Sequence, residues 1–385
     1  MKETRISMLS FQMSLTGMVI TSIGLVTPRL TEAFSLTVSQ QGLIVSMQFI
    51  GASLSCLISG MFCEKYGSSF ITRITLLIGI VTMLLFSLIQ NYPMALLCVF
   101  LAGAFSLSME TSLVSSGMAI KGKEHIANAI IQTSFTFGAI LVPLIFLLFG
   151  LRDEWRPVYI TIAACLLLSL LISRGSREKT ASKGLIQSLK SYPRYFTKGR
   201  YMLGAIVIFL YLAAEIGLWS LAPTLLESTG SGRLSGIISA CLIWVMMLIG
   251  RLIGTSLMRR FDMIRILLPF GVLGIAAYTM IMFTSGPAAV VCIALVGFAC
   301  APFYAFLISW ATIVANDKSS SYLGFIMAFG SFGPVVLGWV ISLLGDAVAG
   351  RLIVLPAVCS FSIMMILLCV FGLRRYPRNK NMSKE

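Results

Sequence analysis

The chain has 385 residues, 58% of them hydrophobic and 11% charged, whereas a soluble domain of average usage is about 45–50% apolar and about 25% charged. That composition excludes a soluble globular protein. The net charge of +15, from 29 Lys and Arg against 14 Asp and Glu, raises the possibility of a nucleic-acid partner, which only the placement of the charges can decide.

Apolar runs of about 20 residues, each long enough to cross a hydrocarbon core about 30 Å thick as a helix, recur along the whole chain. They predict twelve spans, at 6–28, 40–62, 71–90, 94–119, 126–149, 157–173, 201–226, 235–258, 264–284, 287–313, 321–344 and 352–373. The lead from Met1 to Arg5 is short and charged, and the first apolar run is too long for a signal core and has no small-residue cleavage site. That run is expected to remain as the first span.

With the N-terminus inside, the inner side collects 23 Lys and Arg, eight of them between 174 and 200. The outer side has five (Arg29, Arg152, Arg156, Arg233 and Arg351), and Arg251 falls within the eighth span. The positive-inside rule then puts both termini in the cytoplasm and accounts for the charge without any nucleic acid. The nine cysteines lie scattered in apolar runs with no paired spacing, and read as small hydrophobic residues in a reduced setting. With one histidine, His125, and no cysteine cluster, a transition-metal site has too few ligands; no metal and no cofactor are expected.

The polar segment from Arg174 to Arg200 divides the chain into an N-terminal bundle (1–173), a cytoplasmic linker (174–200), a C-terminal bundle (201–373) and a cytoplasmic tail (374–385). The first span ends Pro28-Arg29-Leu30-Thr31-Glu32 and the seventh ends Pro223-Thr224-Leu225-Leu226-Glu227, an offset of 195 residues. Within four residues the same offset carries Gln41-Gly42 onto Ser235-Gly236, Gly60 onto Gly254, and Gly138 with Pro143 onto Gly330 with Pro334. An internal repeat of six helices gives both halves the same orientation. The predicted fold is therefore all-α, twelve transmembrane helices in two pseudo-symmetric six-helix bundles, with a solute bound between the halves near the midplane.

Between the second and third spans, Gly60-Met61-Phe62-Cys63-Glu64-Lys65-Tyr66-Gly67 resembles the G-x-x-x-D-x-x-G-R-R signature of the major facilitator superfamily, with Glu64 in place of Asp and Ser68-Ser69 in place of the basic pair. The second half carries Gly250-Arg251-Leu252-Ile253-Gly254, then Arg259-Arg260-Phe261-Asp262. Glycines permit close helix approach, and acids with basic residues at the cytoplasmic rim can hold the halves in one state and release them in the other. Gly60, Glu64, Gly67, Gly250, Arg251, Gly254, Arg259, Arg260 and Asp262 form the expected gating motif. Arg251, about two turns from Arg259, reads either as a snorkelling rim residue or as the buried partner of an acid.

An ionised side chain at mid-bilayer costs at least roughly 2.5–3.5 kcal/mol, so charges that remain there mark chemistry. Of the 14 acids only Glu110 in the fourth span and Glu215 in the seventh lie far from both helix ends. They are the expected proton-coupling carboxylates. The midplane polar and aromatic residues Gln48, Asn128, Gln132, Tyr211, Trp219, Tyr304 and Trp310 are the expected solute contacts, with Gln132 one helical turn from Asn128.

Leu107-Ser108-Met109-Glu110-Thr111-Ser112 is similar to the L-E-T-A stretch of the fucose permease group, and Tyr211-Leu212-Ala213-Ala214-Glu215-Ile216-Gly217-Leu218-Trp219 to the seventh-helix stretch of the fucose–galactose–glucose:proton symporters. Met327-Ala328-Phe329-Gly330-Ser331-Phe332-Gly333-Pro334 resembles that group's small-residue eleventh helix ending in Pro. Where that group's first helix carries an Asp four residues before its Pro, this chain has Gly24. The resemblance implies a monomeric secondary transporter in the plasma membrane, a bacterial inner membrane, that moves a small sugar-like or other neutral solute together with protons. The alternative within the same superfamily is a drug or metabolite:proton antiporter, whose G-x-x-x-G-P-x-x-G-G motif is only partly present in Gly138-Ala139-Ile140-Leu141-Val142-Pro143. An enzyme is not expected: the chain has no Ser/His or paired-aspartate constellation on facing helices and no phosphate loop.

Overall fold

The computed structural model describes residues 2–120, 124–150, 155–173, 192–228, 232–258, 263–317, 319–344 and 354–372. Among these every regular element is helical. The first half holds α1 (Lys2–Phe34), α2 (Val38–Tyr66), α3 (Ser68–Ser87), α4 (Tyr92–Met118), α5 (Glu124–Gly150) and α6 (Arg156–Ile172). After a short helix at 192–197 come α7 (Gly199–Ser228), α8 (Gly232–Met258), α9 (Met263–Ile281), α10 (Gly286–Cys300), α11 (Phe303–Ala315), α12 (Ser320–Leu344) and α13 (Leu355–Leu367), the last running on as a π turn. Among the described residues nine stretches are long and apolar enough to cross a membrane, and three shorter apolar helices bring the number to the expected twelve.

Local chemistry sets the boundaries. Thr37 caps α2 in a capping box with Gln40, and Asn91 accepts the amide of Met94 at the start of α4. Gly67, at φ +88°, is the single residue between α2 and α3, a conformation that side chains other than hydrogen avoid. Two boundaries differ from expectation. The first helix does not stop at Pro28 but continues to Phe34; a proline removes one ladder bond, here to the Gly24 carbonyl, and inside a packed bundle the helix survives that loss. The tenth span is not one helix: Ala301 and Pro302 divide α10 from α11, because Pro302 has no N–H to continue the ladder.

The repeat is visible in the packing. A Cβ on Gly138 of α5 would overlap the carbonyl oxygen of Ser14 on α1, and a Cβ on Gly333 of α12 would overlap that of Phe209 on α7. Both pairs are related by an offset of 195. The structural counterpart of Gly138 is thus Gly333, three residues beyond the Gly330 expected from the sequence. In the same way Gly103 of α4 packs on the Gln48 carbonyl of α2, and Gly297 of α10 on the Ile243 carbonyl of α8. These small-residue contacts supply close packing that the hydrophobic effect does not provide between helices in lipid.

The halves meet chiefly where α2 packs on α12 and α5 on α8, with smaller contacts of α1 with α7 and of α4 with α12. We call the face where α1 begins and α2 ends the basic face, after Arg5, Lys65 and Arg73. Here the α2–α12 seam is tight: a Cβ on Gly60 would stand 2.8 Å from the Ser320 carbonyl oxygen and 3.3 Å from Gly324 Cα. Toward the opposite face α1 and α7 approach where Gly24 faces the ring of Trp219.

Candidate functional site

Between the halves lies a small cavity, with room of about 60 Å³. Glu110 of α4 and Glu215 of α7 both line it, one from each half, and both side chains are buried (4% and 8% exposed). Arg251 of α8 reaches the same cavity. Its guanidinium Nη1 donates across the seam to the Gln132 carbonyl (2.6 Å) and to the Thr136 hydroxyl of α5. Arg251, half-buried, therefore reaches the cavity that the two acids line, with Gln132 and Thr136 as its hydrogen-bond partners.

Glu110 is held from two sides. Its Oε1 accepts a hydrogen bond from the Gln132 amide (3.1 Å), in its own half, and another from the Tyr304 hydroxyl (2.8 Å) of α11, in the other half. Gln132 thus touches both charges at once, giving its amide to Glu110 and its carbonyl to Arg251. The Tyr304–Glu110 and Arg251–Gln132 hydrogen bonds tie the two halves together at the depth of the cavity.

One to two turns along the same three helices from Gln132, Glu215 and Arg251 stands an aromatic cluster. Trp219 packs on Trp244 (ring centroids 5.9 Å apart), and Phe135 meets Trp244 edge-on at 5.8 Å. Ile20, Phe49, Leu107 and Ser331 also face the cavity.

Of the residues singled out from the sequence, Glu110, Gln132, Glu215, Trp219, Tyr304 and Arg251 line the cavity. Four do not. Gln48 sends its amide to the Ile20 carbonyl (3.5 Å), inside the first half. Tyr211 donates to the Cys300 carbonyl (3.0 Å) and stacks on Tyr304, a layer behind the lining. Asn128 and Trp310 are buried, and the Asn128 carbonyl oxygen and the Trp310 indole nitrogen have no hydrogen-bond partner among the described residues. Trp244, Phe135 and Ser331 went unnoticed because an apolar or small residue in an apolar helix carries no signal of which way it faces.

In the gating motif, Gly60 makes the close α2–α12 approach, and Gly250 and Gly254 pack inside the second half against Phe298, Ala301 and Pro302. Glu64 accepts the backbone N–H of Ser321 (3.0 Å), in the first turn of α12. Arg259, Arg260 and Asp262 lie outside the described residues, as do the 174–191 part of the linker and the tail from 373 onward. All nine cysteines are free thiols, and among the described residues no group of His, Cys, Asp and Glu is placed to hold a metal ion.

Apolar membrane-length helices in two like halves, with a charged cavity enclosed between them, define a membrane transport protein. The sequence profile of the Major Facilitator Superfamily matches residues 9–337, and the chain belongs to that superfamily. It is 25% identical over 339 residues to a glucose/mannose transporter of Bacillus subtilis (strain 168), covering 84% of each chain. Among solved structures it is similar to the fucose:proton symporter of E. coli (TM-score 0.73, 18% identity, 95% of this chain and 98% of that one). It is also similar to a proton:xylose symporter (TM-score 0.75, 13% identity, 95% of each chain) and to a nucleoside transporter (TM-score 0.71, 14% identity, 95% of this chain and all of that one).

Proposed function

We propose that the protein is a proton-coupled importer of a sugar-like solute that works by alternating access, with Glu110 and Glu215 as the coupling carboxylates. The observation that carries this reading is the cavity itself, where one carboxylate from each half shares the space with a single arginine. Two acids and one guanidinium leave one negative charge in a medium where an uncompensated charge is costly. Taking up one proton balances the site, and giving it up on the other side resets it. The solute class follows from the lining: carboxylates, an amide and a phenol can bond hydroxyl groups, while Trp219, Trp244 and Phe135 offer apolar rings to the C–H side of a sugar. The B. subtilis relative, a glucose/mannose transporter, supports the same class.

The basic face is assigned to the cytoplasm, of a bacterial inner membrane, with both termini and the 174–200 linker on that side. The working unit is a single chain in the lipid bilayer, with solute and protons as its partners and no catalytic chemistry of its own.

The test is purified protein in liposomes under an imposed pH gradient, offered glucose, mannose, fucose and xylose. Uphill accumulation of one of these in wild type, lost in Glu215→Gln or Glu110→Gln while exchange across the bilayer continues, is the expected result, since Gln imitates the protonated carboxyl. Accumulation that survives both substitutions would make the carboxylates structural. Solute moving only outward against inward proton flow would make the protein an exporter.

A further inference from the structure

Glu215 and Trp219 line two spaces, the solute cavity and a smaller chamber inside the second half with room of about 10 Å³, the size of one water molecule. Apolar side chains of α7, α8 and α10, Met247 and Val296 among them, make most of the chamber wall. Its other polar side chains are Tyr278 of α9 and Cys300 of α10. The Tyr278 hydroxyl donates to the carbonyl of Ala214, the residue before Glu215 (2.9 Å), and lies 3.9 Å from the Cys300 sulfur. Its oxygen still has a lone pair with which to accept. A purely apolar chamber of this kind stays dry, whereas a buried water needs two to four polar partners. Carboxyl, phenol and thiol are three.

We propose that the chamber is a water site that solvates the Glu215 carboxyl from behind, so that it exchanges its proton while solute fills the cavity in front. The proposal rests on the reading of Glu215 as a coupling carboxyl. A hydronium ion in the chamber passes its proton to a carboxylate oxygen, forming the acid O–H and leaving a neutral water; release runs the same step in reverse. The titratable and charged groups around Glu215 are Tyr211 on its own helix, Arg251 on α8, Tyr278 on α9, Cys300 on α10, Tyr304 on α11 and Glu110 on α4. Only Tyr278 and Cys300 of these line the chamber with Glu215. Importing proton and solute together requires both to be bound at once, and a carboxyl reached only through the solute cavity would make them compete. Tyr278 and Cys300 are positioning residues in this scheme, acting on the proton through the water they hold.

The experiment is difference infrared spectroscopy between acid and neutral pH on the full chain in lipid, without solute. The carboxyl C=O band of Glu215 is identified by its loss in Glu215→Gln. Cys300→Leu fills the chamber and should move that band toward the position of an unbonded carboxyl, whereas Cys300→Ser, which keeps the volume and a hydrogen-bonding atom, should leave it in place. Tyr278→Phe removes a water partner without adding volume and serves the same purpose if Cys300→Leu does not fold. A band that stays put in both Cys300→Leu and Tyr278→Phe overturns the water site. In gradient-driven uptake of glucose, acidification should leave the wild-type KM unchanged or lower it, and should raise that of Cys300→Leu about fivefold, the equivalent of one lost hydrogen-bond partner. Uptake kinetics unaltered by filling the chamber also overturn the proposal. Absence of any gradient-driven uptake by wild type sinks the coupling reading of Glu215 instead, and the infrared band then decides the water site alone.

Discussion

The Glu64 carboxylate, at the end of α2 in the first half, accepts the backbone amide of Ser321, which opens α12 in the second. A negative group at a helix N-terminus satisfies an orphan donor and lies at the positive end of the helix dipole. The cap crosses the seam between the halves, one turn from the Gly60–Gly324 approach, so it holds the basic face closed.

Glu64→Ala should therefore favour the state open at the basic face. Loss of a cap is worth roughly 1 kcal/mol, about a fivefold change in a two-state ratio. Spin labels at Phe70 and Ser256, both exposed and on opposite halves, should show a larger long-distance population in the variant. An unchanged distance distribution would mean that the cap is local to α12.

Arg251 should not tolerate replacement. Its guanidinium holds Gln132 and Thr136 across the seam from a single nitrogen, and lysine offers a point charge in place of that planar fork. Arg251→Gln should cut solute exchange roughly tenfold or more, as expected when buried polar partners are left unpaired. Arg251→Lys should recover part of it. Exchange of glucose measured in liposomes distinguishes the two variants, and equal rates in both would reduce Arg251 to a bystander.

Tyr304→Phe removes a donor that reaches Glu110 from the opposite half. A hydrogen bond to a charged group contributes about 1.5–3 kcal/mol, so the effect should exceed that of an ordinary surface change. The variant should keep downhill exchange and lose most of its gradient-driven accumulation, because the ring still fills the wall while the carboxylate loses its tie to the second half. Flux and accumulation falling in parallel would assign Tyr304 a purely structural part.

The glycine contacts make a stability prediction. Gly138→Ala and Gly333→Ala each push a Cβ into a backbone carbonyl of the neighbouring helix, and overpacking of that sort typically costs about 1–3 kcal/mol. Gly42→Ala, at a position with open space around it, should be neutral. Thermal unfolding in detergent should separate the two groups, and a similar response from all three would count against tight packing at the repeat contacts.

Much of this architecture was legible in the sequence, and the reasons are physical. Twelve spans can be read because the bilayer demands about 20 apolar residues per crossing, and the duplication because glycines that admit a neighbouring backbone cannot easily be replaced. The register of the repeat slipped by three residues at Gly330, since Gly330 and Gly333 stand one turn apart and hydropathy does not tell which one meets α7. Glu110 and Glu215 stood out because acids inside an apolar helix are rare. Arg251 was ambiguous because its depth was counted along one helix, whereas its environment depends on Gln132 and Thr136 from another half of the molecule. The aromatic cluster was hidden for the opposite reason: Trp244 and Phe135 look like any other bulky residue in a greasy helix until the helices are packed.

The break at Ala301-Pro302 separates two parts of the second half that differ in what they hold. α10 is tied to α8 through Gly297, while α11, beyond the break, carries Tyr304 and hence the contact with Glu110. Since Pro302 donates no ladder bond, α11 can tilt without unwinding α10. The backbone joint of the second half that stands next to the residue bonded to Glu110 is thus a break in the helical ladder. A change of charge at Glu110 can be answered by a swing of one short helix before any rigid bundle has to turn.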